Sequence, residues 1–131
     1  MEVHKSQYGN NLWYHAVAAG SAVCEDRTWA HNTIGTPQAS DEWLLAEGCT
    51  AGGFETWVLL QNPGDTDANV DITYMTGDCE VPGPQATIEA GTRATFNVAD
   101  TMGSPWEVAS RITSDQPVVT ERSVYGFSLS P

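Results

Sequence analysis

The run Asp65-Thr66-Asp67-Ala68-Asn69-Val70-Asp71 puts an oxygen-bearing side chain at every second position, the spacing with which a calcium loop presents its ligands. Such a loop also wants glycine at its sixth position and glutamate at its twelfth, and here Val70 and Thr76 stand there. The preferred reading is a polar turn running into a strand, with calcium on Asp65, Asp67, Asn69 and Asp71 as the metal alternative and no other cofactor expected. His4, His15 and His31 all lie in the first third of the chain, and a transition-metal site would need them to converge in space; surface histidines are the expectation. Cys24, Cys49 and Cys79 fit no zinc or C-x-x-C spacing, which directs them toward disulfide use with one thiol left over. H-E-x-x-H, G-x-S-x-G, G-x-G-x-x-G and the phosphate-binding loop are all missing, so the chain is not expected to be an enzyme.

Two further groups of residues remain as chemistry. Glu47 and the pair Glu121-Arg122 are charges inside apolar strands, and a structural ion pair between Arg122 and Glu47 at a sheet seam is expected rather than a catalytic carboxylate pair. The tryptophans are the binding candidates: Trp57 by strand alternation, and Trp13, Trp29 and Trp106 because they sit beside turns, where a flat ring can stack on a sugar or a partner's side chain. Trp43, opening an apolar strand, is expected in the core.

Composition narrows the partners. Seventeen acidic residues against five basic ones give a formal charge of -12, which repels phosphate backbones and anionic bilayers, so neither nucleic acid nor membrane insertion is expected. The start, MEVHKSQYG, lacks the basic-then-apolar layout of a signal peptide, and Met1 is expected to begin a mature fragment. Lysine occurs once, at Lys5, among abundant Thr, Ser, Gly, Asp and Asn, a balance familiar in secreted β modules.

These residues need elements to position them. From Trp43 onward short apolar runs of period two alternate with Gly, Pro, Asn and Asp, which predicts about seven strands: 43–47, 54–61, 69–75, 85–90, 92–98, 106–113 and 117–125. Asn62-Pro-Gly-Asp65, Pro82-Gly-Pro84, Ala90-Gly-Thr92 and Ser114-Asp-Gln-Pro117 read as the turns. Folding about Gly64 would make 54–61 and 69–75 a hairpin, with Leu60 facing Ala68, Val58 facing Val70, Thr56 facing Ile72 and Phe54 facing Tyr74. Extending that register brings Cys49 opposite Cys79, the predicted disulfide, and leaves Cys24 single.

Residues 1–40 read as an N-terminal extension and 41–131 as the β domain. The extension doubles a W-x-H segment, Trp13-Tyr14-His15 and Trp29-Ala30-His31. It also opens on Val3-His-Lys-Ser-Gln-Tyr-Gly9, which repeats the closing Val119-Thr-Glu-Arg-Ser-Val-Tyr-Gly126 in its basic-Ser-x-Tyr-Gly order. Residues 2–8 are thus a spare copy of the last strand, able to join a neighbour's sheet edge head-to-tail and so to build filaments.

Trp43-Leu-Leu-Ala-Glu-Gly48, Gln61-Asn-Pro63, Thr73-Tyr-Met75 and Ser114-Asp-Gln-Pro-Val-Val-Thr-Glu-Arg122 with Tyr125-Gly126 follow one another in a pattern that resembles a tandem β-sandwich repeat of secreted and cell-surface bacterial proteins, actinobacterial ones above all. The resemblance covers about Trp43 to Gly126. It implies an immunoglobulin-like antiparallel β-sandwich outside the cytoplasm, with no catalytic residues. In such arrays the closing E-R-x-x-Y-G is followed by an N-N-x-x-W connector, which Tyr8-Gly9-Asn10-Asn11-Leu12-Trp13 resembles with one residue fewer before the tryptophan; the cysteines and the doubled W-x-H segment depart from the pattern. The expected function is a non-enzymatic extracellular interaction or assembly module of a bacterial surface protein, its partner a protein or a second copy of itself. The alternative is a carbohydrate-binding accessory domain that uses exposed tryptophans.

Overall fold

The computed structural model describes residues 2–8, 11–17, 29–31, 36 and 38–126, the first three runs by their strand pairing alone. Among the described residues nine strands and one short helix follow in order: β1 Glu2–Tyr8, β2 Asn11–Val17, β3 Trp29–His31, β4 Ser40–Leu45, β5 Glu55–Gln61, β6 Ala68–Met75, β7 Glu80–Ile88, β8 Arg93–Asn97, α1 Ala99–Met102 and β9 Ala109–Gly126. The fold is all-β, and every strand pair among the described residues is antiparallel.

Strand β9 organises the molecule. Its first half pairs with β6, from Met75 opposite Ala109 to Val70 opposite Ser114, and with β4 on its other side. Its second half pairs with β5, from Gln61 opposite Val119 to Glu55 opposite Tyr125, and at its end with β3. The hydrogen-bonded order β7-β6-β9-β5-β8 is therefore one curled sheet, where the repeat pattern implied a two-sheet sandwich. The curl folds the inner faces of its two halves onto a single core of Val58, Leu60, Val70, Ile72, Tyr74 and Ile112, with Val98, Val108 and Val118 among their neighbours. Trp43 packs half-buried against that core, and its indole N–H donates to the carbonyls of Ser40 at 3.1 Å and Val118 at 2.9 Å, tying β4 to the middle of β9.

Four sequence expectations are corrected here. First, β5 and β6 do not form a hairpin; they lie in opposite halves of the curl, and 62–67 is a crossover. The side chain that shapes this crossover is Asn62, which is fully buried. Its Nδ2 donates to the carbonyls of Thr66 at 2.8 Å and Ile88 at 3.0 Å, and its Oδ1 accepts the Gly64 N–H at 3.1 Å. Phe54 lies before β5 and is exposed rather than facing Tyr74. Second, Cys49 and Cys79 are separate free thiols, one half-buried and one exposed, because the register that opposed them required the hairpin. Third, Ser114-Asp-Gln-Pro117 is no turn between two strands: β9 runs straight through it and changes partner there. Asp115 fastens this corner, its two carboxylate oxygens accepting the Asn69 backbone and side-chain N–H groups at 2.8 Å each.

Pro82-Gly83-Pro84 likewise reads as a turn and is strand. It belongs to β7, the end of the hydrogen-bonded order, where a proline's missing N–H leaves no ladder bond unmade. Gly83 is required because a Cβ there would stand 2.8 Å from both the Ile72 carbonyl oxygen and the Tyr74 ring. The Ala90-Gly-Thr92 turn is present as read, with Gly91 at φ 71° and its N–H on the Asn62 carbonyl at 3.0 Å.

At the other end of the chain, β1 pairs with β2 in a separate two-stranded sheet, from Tyr8 opposite Asn11 to Glu2 opposite Val17. The spare strand 2–8 is thus paired within its own chain.

Candidate functional site

The loop that leads into β5 and the segment that leads into β9 are laced together, and this lacing positions Trp106. Thr50 N–H donates to the Pro105 carbonyl at 3.0 Å, Thr50 Oγ1 donates to the Gly103 carbonyl at 2.8 Å, and Val108 N–H donates to the Gly48 carbonyl at 3.0 Å. Beneath, Thr56 Oγ1 donates to the Cys49 carbonyl at 2.7 Å and accepts the Cys49 N–H at 2.8 Å, fixing the loop on β5. The Trp106 indole then lies directly over Gly52. That glycine has φ +63°, and any Cβ on it would meet Trp106 Cη2 at 2.7 Å, so the residue serves both the backbone turn and the close approach of the ring.

Although it is held this closely on one side, Trp106 is 69% exposed, a larger exposed fraction than that of Leu44 or Phe54, the other large apolar residues on the described surface. It rims an open cavity of about 540 Å³ lined also by Glu47, Cys49, Met75, Thr76 and Glu107. The wall is mixed: a flat aromatic surface, a thioether, a thiol and two carboxylates. Glu47 is anchored from below. Arg122 comes from the inner face of β9, where only 14% of its side chain is exposed, and its Nη2 reaches Glu47 Oε2 at 3.5 Å. An exposed ring that a glycine locks in place can stack on a ligand without first losing conformational freedom.

The other sequence candidates fall elsewhere. Trp57 is half-buried on the outer face of β5, with its indole N–H on Glu55 Oε2 at 3.3 Å. Trp13 lies opposite Ser6 in β2 and Trp29 opposite Gly126 in β3; their side chains lie outside the described residues, as do those of the histidines. The calcium candidates are drawn to different tasks. Asp67 Oδ1 accepts the Ala90 N–H at 3.0 Å, and Asn69 is held by Asp115 and also accepts from Thr87 Oγ1 at 2.7 Å. Asp65 lies in the crossover, and Asp71 is exposed on β6. Among the described residues no three His, Cys, Asp or Glu side chains are grouped to hold a metal ion. Cys24 lies outside the described residues.

Sequence reasoning missed the support beneath Trp106. The available signal was the adjacent pair Gly52-Gly53, both at positive φ, which marks a backbone conformation that a side chain would obstruct. Tyr74, read from the sequence as part of an apolar face, is fully buried, and its hydroxyl has no hydrogen-bond partner among the described residues. Burial, with the nearby charge of Asp100, pushes that phenol up to about 12.

No family model matches the chain, and no curated protein matches it in sequence. Solved structures do. The Anabaena sensory rhodopsin transducer is 31% identical, with a TM-score of 0.55, over 63% of this chain and 92% of its own. A Thermotoga maritima protein designated 1070 is 20% identical, with a TM-score of 0.57, over 64% of this chain and 78% of its own, a likeness of fold alone.

Proposed function

We propose, for a chain that belongs to the same family as the Anabaena sensory rhodopsin transducer, that it is a non-enzymatic interaction module that takes part of a partner protein onto Trp106. The observation that carries this reading is the exposed indole fixed on Gly52 at the rim of the cavity. Exposed, well-positioned tryptophans are the residue type that most often anchors a partner. A relative named as a transducer supports the same class, a protein that acts by contact. The charge of -12 favours partners with basic groups, and Glu47 and Glu107 put two carboxylates at the cavity itself. Its place of work is outside the cell, in a bacterial surface protein; the sparse lysine and the repeat-like motifs from Trp43 to Gly126 support that.

A second reading is favoured by the same rim: a flat ring flanked by carboxylates also suits a sugar, stacked on Trp106 and hydrogen-bonded to Glu107 or Glu47. Peptide and glycan arrays probed with the wild-type protein and with Trp106→Ala separate the two. Loss of at least tenfold in signal on the variant, on either array, supports the platform, and the array on which it occurs chooses the partner class. Binding that survives Trp106→Ala, or a wild-type protein that binds neither array, overturns the reading.

A further inference from the structure

The cavity that Trp106 rims carries a charge that its wall leaves unmatched. Glu47 and Glu107 both line it, and among the described residues no lysine or arginine does. Arg122 reaches Glu47 Oε2 at 3.5 Å from beneath, with 14% of its side chain exposed against 80% for Glu47, so this pair sets one cation against one carboxylate. Glu107 is exposed and has no such partner among the described residues. One negative charge is left over, and it stands next in the chain to the exposed indole.

The ring is held ready for stacking. Its six-membered half sits on Gly52, where an added Cβ would stand 2.7, 3.0 and 3.7 Å from Cη2, Cζ3 and Cζ2, and 69% of the residue stays open. An indole face is the best side-chain surface for a cation, and that cation is more often a guanidinium than an ammonium. A guanidinium is flat, so it can lie on the ring while the N–H groups along its edge reach a carboxylate that accepts two of them. Trp106 and Glu107 offer both halves of that recognition on one cavity. An ammonium fits it less well, being a compact, strongly hydrated charge with no plane to stack and no fork to pair. Met75 and Cys49 add a thioether and a thiol to the wall, apolar enough to receive the methylene stem behind a charged head.

We propose that the cavity receives an arginine side chain of the partner protein, its guanidinium stacked on Trp106 and paired with Glu107, while Glu47, already engaged by Arg122, is the weaker acceptor. The proposal rests on the reading of Trp106 as a partner platform and names the group that the platform takes.

The test titrates full-length 15N-labelled protein with three blocked pentapeptides, Gly-Gly-X-Gly-Gly with X as arginine, lysine or citrulline, the last replacing the guanidinium by a neutral urea of the same shape. Ionic strength is held constant, and the peptides reach about 50 mM, enough to saturate a site of millimolar affinity. The readout is the Trp106 indole N–H, identified by its loss in Trp106→Phe. The arginine peptide is expected to shift this signal to saturation, with lysine binding at least threefold and citrulline at least tenfold more weakly. Glu107→Gln is expected to weaken the arginine peptide at least threefold, and Glu89→Gln, on an exposed residue in the turn after β7, to leave it unchanged. Both variants exchange an exposed carboxylate for an amide of equal size, and the same spectrum reports that the fold is kept. Lysine or citrulline binding as tightly as arginine, or equal arginine affinity in wild type and Glu107→Gln, overturns the arginine assignment while the platform on Trp106 stands. A Trp106 signal that no peptide moves overturns the assignment too, and the arrays then judge the platform on their own.

Discussion

Replacing Asn62 with alanine removes three hydrogen bonds at once, and its cost separates the observed crossover from a simple surface turn. The side chain is fully buried and holds the carbonyls of Thr66 and Ile88 and the N–H of Gly64. Gly64 and Thr66 are exposed and can recover water, so each of those bonds is worth about 0.5–1 kcal/mol. The Ile88 carbonyl belongs to a core residue, and stripping its partner costs about 1–2 kcal/mol more. The sum is about 3 kcal/mol, or a fall in Tm of roughly 10 °C for a chain of this size. Urea unfolding followed by tryptophan fluorescence measures it, with an unchanged m-value showing that the same surface is exposed. Asp65→Ala, on an exposed side chain in the same connection, should stay within about 0.5 kcal/mol of wild type. A loss below 1 kcal/mol for Asn62→Ala would refute the claim that this side chain organises the passage from β5 to β6.

Three more expectations follow from the packing. Gly83→Ala drives a methyl into the Ile72 carbonyl and the Tyr74 ring, and should cost about 2–3 kcal/mol in urea and speed hydrogen exchange along β7 before the rest of the sheet. Tyr74→Phe removes a buried hydroxyl that has no partner among the described residues, so thermal unfolding at pH 7 should show it equal to or about 1 kcal/mol more stable than wild type. The same variant should differ in alkali: a phenol raised from 10.0 to about 12 contributes fully below pH 10 and loses that contribution as the pH climbs toward 12, so wild type should weaken by about 2–3 kcal/mol more than the variant across this window. Asp115 has the opposite sign. The Asn69 N–H groups hold its carboxyl below the usual 3.8, so its contribution is present above that pH and lost as the pH falls through the lowered value; Asp115→Asn should flatten acid unfolding below about pH 4.

Period-two alternation identifies which side of a strand faces inward but not which strand lies beside it. Val58, Leu60, Val70, Ile72 and Tyr74 were legible as one apolar face, and all are buried in the core. Their pairing was not legible, because two strands that face each other across a core and two that share hydrogen bonds leave the same alternation. The Asn-Pro-Gly-Asp stretch looked like a hairpin loop, and only the burial of Asn62 reveals a crossover. The predicted Cys49–Cys79 bond rested on that register and fell with it. Prolines misled in the same local way. Pro82 and Pro84 are compatible with a strand at the end of the hydrogen-bonded order, and Pro117 with the corner where β9 changes partners; neither placement can be read from neighbouring residues. At the candidate site, Glu47 and Arg122 were legible as charges misplaced in apolar strands, and they do meet. Trp106 was legible as an aromatic beside a turn, whereas its seat on Gly52 joins residues more than fifty positions apart and left only the double glycine as a trace.

The measurement that reaches the central claim most directly is a 15N-edited spectrum of the five tryptophan indole N–H groups, recorded while a bound peptide or glycan from the arrays is titrated in. The account predicts that the Trp106 signal shifts first and furthest, with Cys49, Glu107 and Gly52 backbone amides following, while Trp43, whose indole is committed to Ser40 and Val118, stays in place. A ligand that saturates the protein and leaves Trp106 unmoved would contradict it.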